Sequence, residues 1–240
     1  MSLIPPGIKA LILDMDGVLW HDTQPIVDIP AVFRRINDLG LKVVLATNNA
    51  TRSVPMFQQK LLQMGARIEP WQIVTSPQAA VHLLSQRFVQ GSRVYVVGEQ
   101  GLIDSLAEGG FIHAENDVRA VVVGLDRTLT YEKLRTAAIF INQGALFMGT
   151  NTDATLPTAQ GLIPGAGAVI AALQTAVGFP PVIAGKPNPT MYQMAFERLN
   201  ITPEQALAVG DRIETDIVGG IHAGCKTALV LSGIASREDA

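Results

Sequence analysis

Short runs of β-branched and other apolar residues alternate along this chain with longer segments whose apolar residues recur every three or four positions. The short runs are typical of buried strands, and the longer spacing is typical of helices that pack one face against a core. Their regular alternation predicts an α/β fold with a doubly wound parallel sheet and helices on both faces. The predicted strands are Ala10–Leu13, Lys42–Ala46, Gln72–Thr75, Arg93–Val97, Ala120–Leu125, Ala145–Met148, Val182–Ala184, Ala206–Val209 and Thr227–Leu231.

Composition and charge exclude several classes of protein. Only 16% of the 240 residues are charged, against about 25% in an average soluble domain, which suits a sheet buried on both faces. The 18 basic residues are outnumbered by 21 acidic ones. They form no cluster of Lys and Arg that would bind nucleic acid or an anionic membrane. No apolar run reaches the roughly 20 residues of a membrane helix. Cys225, the single cysteine, cannot form an internal disulfide, so we expect a cytoplasmic protein that acts on small molecules.

Polar segments follow four of the predicted strands, each at the carboxyl end of its strand. They are Asp14-Met15-Asp16-Gly17, Thr47-Asn48-Asn49, Gly185-Lys186-Pro187 and Gly210-Asp211-Arg212. In an open α/β sheet, the carboxyl ends of parallel strands share one edge, so we expect these four segments to converge on a single crevice.

Convergence would bring together the carboxylates of Asp14, Asp16 and Asp211. Carboxylates about 4 Å apart repel one another by roughly 4 kcal/mol per pair at an effective dielectric constant of about 20, so they require a cation or take up protons. Oxygen ligands without a His/Cys cluster favour Mg²⁺, which accepts one or two carboxylates together with a substrate phosphate. The sequence therefore predicts a magnesium site at this edge of the sheet.

The remaining polar residues of these segments suit a phosphoryl group. Thr47 offers a hydroxyl, Asn48 an amide and Lys186 an ammonium group, and a dianionic phosphoryl group binds such donors. Gly17 permits a tight turn, and the side chain of Asp16, two residues after Asp14, returns to the same face. These residue types indicate chemistry on a phosphorylated substrate.

At these residues the sequence resembles the haloacid dehalogenase (HAD) superfamily of aspartate-nucleophile phosphatases, and within it the subclass IIA, NagD-like or p-nitrophenylphosphatase-like branch. The resemblance rests on Asp14-Met15-Asp16-Gly17-Val18-Leu19-Trp20, Thr47-Asn48-Asn49, Gly185-Lys186-Pro187-Asn188-Pro189, and Gly210-Asp211-Arg212 with Thr215-Asp216, in the order of the family. Further similar segments are Gly124-Leu125-Asp126-Arg127, Thr130-Tyr131, Gly149-Thr150-Asn151-Thr152-Asp153 and Pro164-Gly165-Ala166-Gly167, so it covers nearly the whole chain. It implies a Rossmann-like HAD core and the hydrolysis of phosphate monoesters.

The resemblance also implies a mechanism through an aspartyl-phosphate intermediate. Asp14 would attack phosphorus, while Asp16 would protonate the leaving oxygen and later deprotonate the hydrolytic water. Mg²⁺ would be held by the Asp14 carboxylate, the Asp16 backbone carbonyl and the Asp211 carboxylate. Asp216 would orient these ligands from behind.

Phosphate binding is implied by the same resemblance. Thr47, Asn48 and Asn49 would hold phosphate oxygens. Lys186 would pair with both the nucleophile and the transferred phosphoryl group, which makes it a third catalytic residue.

The spacing of the motifs predicts an inserted domain. The interval from Asp14 to Thr47 holds only a short flap and one helix, whereas the interval from Thr47 to Lys186 leaves about a hundred residues, enough for a small domain. We therefore expect a discontinuous HAD core at 1–77 and 182–240, with an α/β cap domain at 78–181, the C2 position in this superfamily. A cap excludes water and selects the organic part of the substrate. The candidate cap residues for substrate contact are Asp126, Arg127, Asn151 and Asp153.

Functions other than phosphate-monoester hydrolysis also occur on this fold, and features of the sequence argue against each. A dehalogenase would lack Asp16, because a leaving halide needs no proton. A phosphomutase keeps both aspartates but usually carries its cap between the first two motifs, where this chain has no room. A non-enzymatic, receiver-like phosphate sensor would have no use for a large cap. We expect a small phosphorylated metabolite as the partner, no nucleic acid or membrane, and, by resemblance, a homodimer.

Two further expectations concern the tryptophans and the end of the chain. Trp20 and Trp71 are interpreted as packing residues rather than as a platform for a ligand. The chain ends soon after Leu231-Ser232-Gly233, where members of the family usually continue through another helix or strand. If the chain is truncated there, one edge of the core sheet is missing.

Overall fold

The protein is described from a computed structural model, for residues 4–158 and 160–239. Its strands are β1 (Ala10–Leu13), β2 (Trp20–His21), β3 (Gln24–Pro25), β4 (Lys42–Thr47), β5 (Ile73–Thr75), β6 (Arg93–Val97), β7 (Ile112–His113), β8 (Ala120–Val123), β9 (Leu146–Gly149), β10 (Thr155–Thr158), β11 (Gly161–Pro164), β12 (Val182–Ile183), β13 (Ala206–Gly210) and β14 (Lys226–Leu229). Its α-helices are α1 (Ile29–Asp38), α2 (Val54–Gln63), α3 (Ser76–Ser85), α4 (Gln100–Glu108), α5 (Tyr131–Asn142), α6 (Ala166–Val177), α7 (Thr190–Leu199) and α8 (Val218–His222). None of the helices in the described part of the chain has the length and apolar character that crossing a membrane requires.

The chain divides into two structural units. The first contains residues 4–47, Val54–Val74 and 186–239, and the second contains Asn48–Ser53 together with Thr75–Gly185. The cap predicted from motif spacing spans 78–181, so the second unit starts slightly earlier, ends slightly later and includes a short segment after β4.

The first unit is built on a sheet with strand order β14-β13-β1-β4-β5. Both neighbours of β1 run parallel to it, with Ala10 opposite Ala206 on one side and Lys42 on the other. All four residues of β1 are buried, as expected for a central strand that is covered on both faces. The chain winds outward from β1 in both directions, which confirms the predicted doubly wound α/β class.

Helix α2 shows how the first unit buries its apolar residues. Phe57 and Leu61 are one helical turn apart, so they lie on the same face of α2 and pack into a core that includes Leu45 and Leu13. Each such side chain contributes about 1.5–3 kcal/mol on full burial. This packing supports β1 and β4, whose carboxyl ends carry two of the predicted motifs.

A short hairpin, β2–β3, follows the first motif. Trp20 pairs with Pro25 and His21 with Gln24 in antiparallel register. The side chain of Lys60 on α2 reaches this hairpin, since its Nζ donates to the backbone oxygen of Asp22 at 2.6 Å. This hairpin occupies the segment in which the spacing predicted only a flap.

The second unit contains its own parallel sheet, with strand order β12-β9-β8-β6-β7, and an antiparallel hairpin, β10–β11. Helices α5 and α6 pack on the sheet through Ile141 and Leu173, among other residues. The sequence assigned Val182–Ile183 to the core domain, whereas the structure pairs β12 with Met148–Gly149 of β9. A two-residue apolar strand fits the edge of either sheet, so its pattern does not reveal which sheet it joins.

Candidate active site

The first motif forms a tight turn directly after β1. The backbone N–H of Asp14 donates to the carbonyl of Val209 at 2.9 Å, so the pairing of β1 with β13 continues into the motif. Gly17 has φ of +84°, a left-handed conformation that glycine adopts without strain, and its N–H donates to the carbonyl of Trp20 at 2.8 Å. Asp14 is buried and Asp16 is half-buried, and the Asp16 Oδ1 atom accepts a hydrogen bond from Trp20 Nε1 at 2.8 Å.

Lys186 is the buried cation of this site. Its Nζ lies 2.5 Å from Asp14 Oδ1 and 2.5 Å from Asp216 Oδ1, and it donates to the backbone carbonyl of Ala46 at 3.0 Å. The side chain is only 3% exposed. The lysine therefore joins residues from three separate parts of the sequence at the carboxyl edge of the first sheet.

The carboxylates around Lys186 form a cluster that fits a divalent metal ion. Asp14, Asp211 and Asp216 are buried and each places an oxygen atom within 4.8 Å of the others. One ammonium group cannot balance three ionised carboxylates, and oxygen donors of this kind suit a hard divalent cation. The sequence placed Asp216 behind the ligands, while the structure brings it into the cluster and against Lys186. The ligand roles of Asp14, Asp16 and Asp211 stay predictions.

Burial and mutual repulsion shift the ionisation of these groups. Burial raises the pKa of Asp14 well above its ordinary value, and Asp216 and Asp211 raise it further, against the opposing effect of Lys186. Burial also raises the pKa of Asp211, although the N–H of Ile234 favours its ionised form. Burial alone would lower the pKa of Lys186, but the nearby carboxylates outweigh burial and raise it. The lysine therefore stays charged, and the carboxyl groups of Asp14 and Asp211 take up a proton more readily than an ordinary carboxyl group does.

We expect metal binding to release protons and to weaken as the pH falls. In the metal-free protein, the raised pKa values of Asp14 and Asp211 keep protons on carboxyl groups at pH values where an ordinary carboxyl group is ionised. A metal ion binds the ionised form, so the apparent dissociation constant rises as the pH falls through these raised values. Calorimetric titration with Mg²⁺ in buffers of different ionisation enthalpy measures the protons released. An affinity that is independent of pH, with no proton release, would contradict this prediction.

The segment after β14 holds the Asp211 carboxylate in place. The backbone N–H of Ile234 donates to Asp211 Oδ2 at 2.8 Å, and that of Ala235 donates to the Asp211 carbonyl at 3.0 Å. A Cβ atom on Gly17 or on Gly233 would overlap the Asp211 carboxylate, so both glycines permit its close approach. Sequence reasoning missed this contribution of Gly233, because the residue follows the last strand and belongs to none of the four motifs.

Replacing Gly233 with alanine is expected to weaken metal binding by about 10–100-fold, as is typical when a group that positions a metal ligand is lost. The added methyl group must displace the carboxylate of Asp211. Calorimetric titration with Mg²⁺ measures the effect. Gly40→Ala is the control in the same unit for a general loss of stability, because its φ of +67° strains any added side chain while the Cβ itself meets nothing within 4 Å. It should leave the affinity for Mg²⁺ unchanged. An unchanged affinity in Gly233→Ala would show that Asp211 is not held in this way.

The predicted phosphate-binding residues belong to two different units. Thr47 is the last residue of β4, next to β1, and is buried. Asn48 begins the second unit, where its backbone carbonyl accepts hydrogen bonds from Asn151 Nδ2 and from Ser76 Oγ, each at 2.8 Å. Asn49 Oδ1 accepts from the N–H of Thr51 at 3.0 Å within a local turn. The phosphate-binding roles of these residues stay predictions.

The predicted cap candidates are engaged within the second unit. The Asp126 carboxylate is buried, accepts from the N–H of Thr128 at 2.8 Å and pairs with Lys133 Nζ at 2.6 Å. Arg127 pairs with Glu99, with Nε 2.6 Å from Oε1.

The other two candidates lie beside the segment after β4. Besides its bond to the Asn48 carbonyl, Asn151 accepts from the N–H of Asp153 at 3.0 Å through Oδ1. Asn48 Nδ2 lies 3.4 Å from Asp153 Oδ2. All four candidate side chains therefore make polar contacts within the second unit. Their contact with substrate stays a prediction.

Comparison with known proteins places the chain in a family. A family model described as haloacid dehalogenase-like hydrolase matches residues 11–112, and a second, described as HAD-hydrolase-like, matches residues 183–240. The chain is 34% identical over 230 residues to the 5'-nucleotidase YutF of Bacillus subtilis, covering 96% of this chain and 90% of that protein.

Solved structures give the same result. A p-nitrophenyl phosphatase from Archaeoglobus fulgidus superposes with a TM-score of 0.91 at 30% identity, covering 98% of this chain and 90% of that one. A glycerol phosphate phosphatase from Mycobacterium tuberculosis, solved in complex with magnesium, superposes with a TM-score of 0.89 at 36% identity, covering 97% and 70% respectively.

The clustered carboxylates and the buried lysine at the carboxyl edge of the doubly wound sheet fit a hydrolase of small molecules, and the relatives and structural neighbours are named phosphatases. The chain belongs to the HAD-like hydrolase superfamily, in its NagD-like, p-nitrophenylphosphatase-like branch, and is a phosphatase of this type. The resemblance predicted from the sequence motifs is thereby confirmed.

Proposed function

We propose that the protein is a Mg²⁺-dependent phosphatase that hydrolyses phosphate monoesters of small metabolites through an aspartyl-phosphate on Asp14. The observation that carries this proposal is the Asp14 carboxylate, buried against Lys186 and surrounded by Asp211 and Asp216 at the carboxyl edge of the sheet. A nucleophilic carboxylate requires a fixed orientation and nearby positive charge to approach an anionic phosphoryl group.

The substrate class follows from the named activities of the relatives. These proteins are a 5'-nucleotidase, a p-nitrophenyl phosphatase and a glycerol phosphate phosphatase, and the chain is 34%, 30% and 36% identical to them. Their organic groups differ, while the phosphate monoester is common to them. This supports a phosphate monoester as the substrate class and favours no single metabolite.

The chemistry has two steps. In the first, an Asp14 oxygen bonds to phosphorus, the ester P–O bond breaks, and Asp16 gives its proton to the departing alcohol oxygen. In the second, Asp16 takes a proton from water, the water oxygen bonds to phosphorus, and the bond to Asp14 breaks to release phosphate. Both aspartates thereby return to their starting states.

Charge balance is the main demand that this chemistry makes on the site. When bound, Mg²⁺ would neutralise part of the negative charge of the carboxylates and the phosphoryl group. Asp14 and Asp211 would hold it through their carboxylates, and Asp16 through its backbone carbonyl. Lys186 fixes one Asp14 oxygen at 2.5 Å and supplies positive charge beside the transferred group. Thr47, at the end of β4, would donate its hydroxyl to a phosphate oxygen.

Steady-state release of phosphate from p-nitrophenyl phosphate, with Mg²⁺ or with EDTA, tests this function. We expect sustained multiple turnover with Mg²⁺ and its loss with EDTA. A single stable acyl-phosphate per chain, without turnover, would instead support the receiver-like alternative. Folded, Mg²⁺-loaded protein that releases no phosphate from p-nitrophenyl phosphate, glycerol phosphate or a nucleoside monophosphate would contradict the proposal.

A further inference from the structure

Trp20 contacts the proposed general acid directly. Its Nε1 donates a hydrogen bond to Asp16 Oδ1 at 2.8 Å. Trp20 is fully buried, whereas Asp16 is half-buried. Burial of the indole explains why the sequence pattern indicated a packing residue, but the N–H donor gives the ring a polar contact with a residue that takes part in the proposed chemistry.

The turn after β1 fixes this contact. Gly17 donates its N–H to the carbonyl of Trp20 at 2.8 Å, and Asp16 and Trp20 form an isolated β-bridge. The backbone positions of Asp16 and Trp20 are therefore tied together before their side chains meet. Such a geometry preorganises the hydrogen bond, because little conformational freedom is left to lose on forming it.

Lys60 lies over the face of the indole ring. The Nζ atom of Lys60 lies 3.9 Å from the centroid of the Trp20 ring and also donates to the Asp22 carbonyl at the tip of the β2–β3 hairpin. Lys60 is only 8% exposed, and a cation over a tryptophan face is more strongly attracted when it is shielded from water. Helix α2 therefore restrains both the indole and the hairpin that carries it.

We propose that Trp20 is a positioning residue for Asp16. The indole N–H holds the Asp16 carboxyl group through Oδ1 and so fixes the orientation in which this group delivers a proton to the leaving alcohol and takes one from water. Lys60 acts one step further away by fixing the ring. This inference rests on the proposed function, because it requires Asp16 to act as the general acid.

The chemistry of the leaving group separates positioning from a purely structural role. The alkoxide of glycerol phosphate is a poor leaving group and needs the proton from Asp16, whereas p-nitrophenolate is stable enough to leave without one. Misplacing Asp16 should therefore slow formation of the phosphoenzyme from glycerol phosphate much more than from p-nitrophenyl phosphate. The ratio of kcat/KM values for the two substrates reports this step.

The experiment compares Trp20→Phe with Asp16→Asn and with Trp71→Phe. Removing the acid in Asp16→Asn should lower kcat/KM for glycerol phosphate by about 10²–10⁴-fold, with a much smaller loss for p-nitrophenyl phosphate. Trp20→Phe keeps an aromatic ring but loses the N–H. We expect kcat/KM for glycerol phosphate to fall about tenfold, with a much smaller fall for p-nitrophenyl phosphate. Trp71→Phe, at a tryptophan that is 47% exposed, should leave the ratio unchanged.

The outcomes distinguish failure of this inference from failure of the proposed function. If Asp16→Asn shows no selectivity for the leaving group, the assignment of Asp16 as the acid is wrong. Asp16→Asn can be selective while Trp20→Phe lowers kcat/KM equally for both substrates or for neither. In that case Trp20 has only a packing role and the inference is overturned.

A second form of the experiment remains valid if Trp20→Phe folds poorly. The chain has two tryptophans, so in the Trp71→Phe background Trp20 is the single one left. Biosynthetic replacement of this tryptophan by its benzothiophene analogue exchanges the N–H for sulfur and keeps the shape of the ring. The same selective loss is expected. In the unsubstituted ring, the NMR resonance of the indole N–H should also shift in Asp16→Asn, and a resonance that does not move would count against the contact.

Discussion

Asp14→Asn is expected to abolish phosphate release, with kcat falling by about 10⁴-fold or more, as when other enzymes lose their nucleophile. The amide of asparagine occupies nearly the same volume as the carboxylate but is a poor nucleophile towards phosphorus. The substitution also removes one of the two carboxylates that lie 2.5 Å from Lys186. Steady-state phosphate release with saturating Mg²⁺ measures the effect.

Asp28→Asn is the matched control for this variant. Asp28 is exposed in the same unit and caps α1 by accepting a hydrogen bond from the N–H of Ala31 at 2.9 Å, a role that asparagine also performs. The control should keep wild-type activity. Circular dichroism should show that Asp14→Asn remains folded. Substantial turnover by folded Asp14→Asn would contradict the assignment of Asp14 as nucleophile.

Lys186→Met should lose both activity and stability. The variant leaves Asp14 and Asp216 buried without their ammonium partner, and breaking a buried ion pair in this way typically lowers the free energy of unfolding by about 3–5 kcal/mol. Without Lys186, an attacking Asp14 also meets the phosphoryl group with less positive charge nearby, so we expect a fall in kcat of about 10³-fold. Denaturant unfolding and phosphate release measure the two effects.

Lys133→Met provides a comparison for the stability effect. Lys133 also pairs with a buried carboxylate, Asp126, at 2.6 Å, but its own side chain is 34% exposed. Water can therefore replace much of what the lysine supplies, and the loss of stability should be clearly smaller than in Lys186→Met. Equal losses in the two variants would show that the burial of Lys186 is not what makes its ion pairs important.

The main architecture could be predicted because it depends on short segments of sequence, namely apolar runs and the polar motifs that directly follow them. Buried strands such as Ala10–Leu13 are continuous apolar runs, and parallel pairing places their carboxyl ends on one edge. The shared edge predicts that the carboxylates of Asp14, Asp16 and Asp211 meet. The structure brings Asp14 and Asp211 together, but the third carboxylate of the cluster among the described residues is that of Asp216 rather than that of Asp16. The glycine of the first motif likewise indicated a turn, which the positive φ of Gly17 confirms.

Features that depend on three-dimensional packing could not be predicted from the sequence. Asp216 joins the carboxylate cluster because a π-helical turn, Ile213–Ile217, follows Asp211 and directs its side chain to Lys186. The spacing of these residues suggests an ordinary helix. Gly233 lies against Asp211 across more than twenty residues of sequence, so only the folded chain shows why a side chain cannot be placed there.

Hydrophobic patterning also ignores the polar atoms of mostly apolar side chains. Trp20 is fully buried, and hydrophobic patterning treats a buried tryptophan as packing. The turn at Gly17 folds the chain back so that Trp20, four residues after Asp16, contacts Asp16 through its indole N–H. The sequence does carry one signal for this hydrogen bond, because Asp16 and Trp20 are four residues apart and a turn at Gly17 lies between them.

The most direct test of the proposed mechanism is to identify the residue that carries phosphate during turnover. Wild-type protein would be mixed with p-nitrophenyl phosphate and Mg²⁺ and quenched in acid within a single turnover. Tritiated borohydride then reduces the acyl-phosphate, releases the phosphate and leaves a tritium-labelled homoserine at the phosphorylated aspartate, so the labelled peptide can be mapped. We expect the label on Asp14, formed with Mg²⁺ and absent with EDTA. A label on any other residue, or rapid phosphate release with no labelled chain at any quench time, would contradict it.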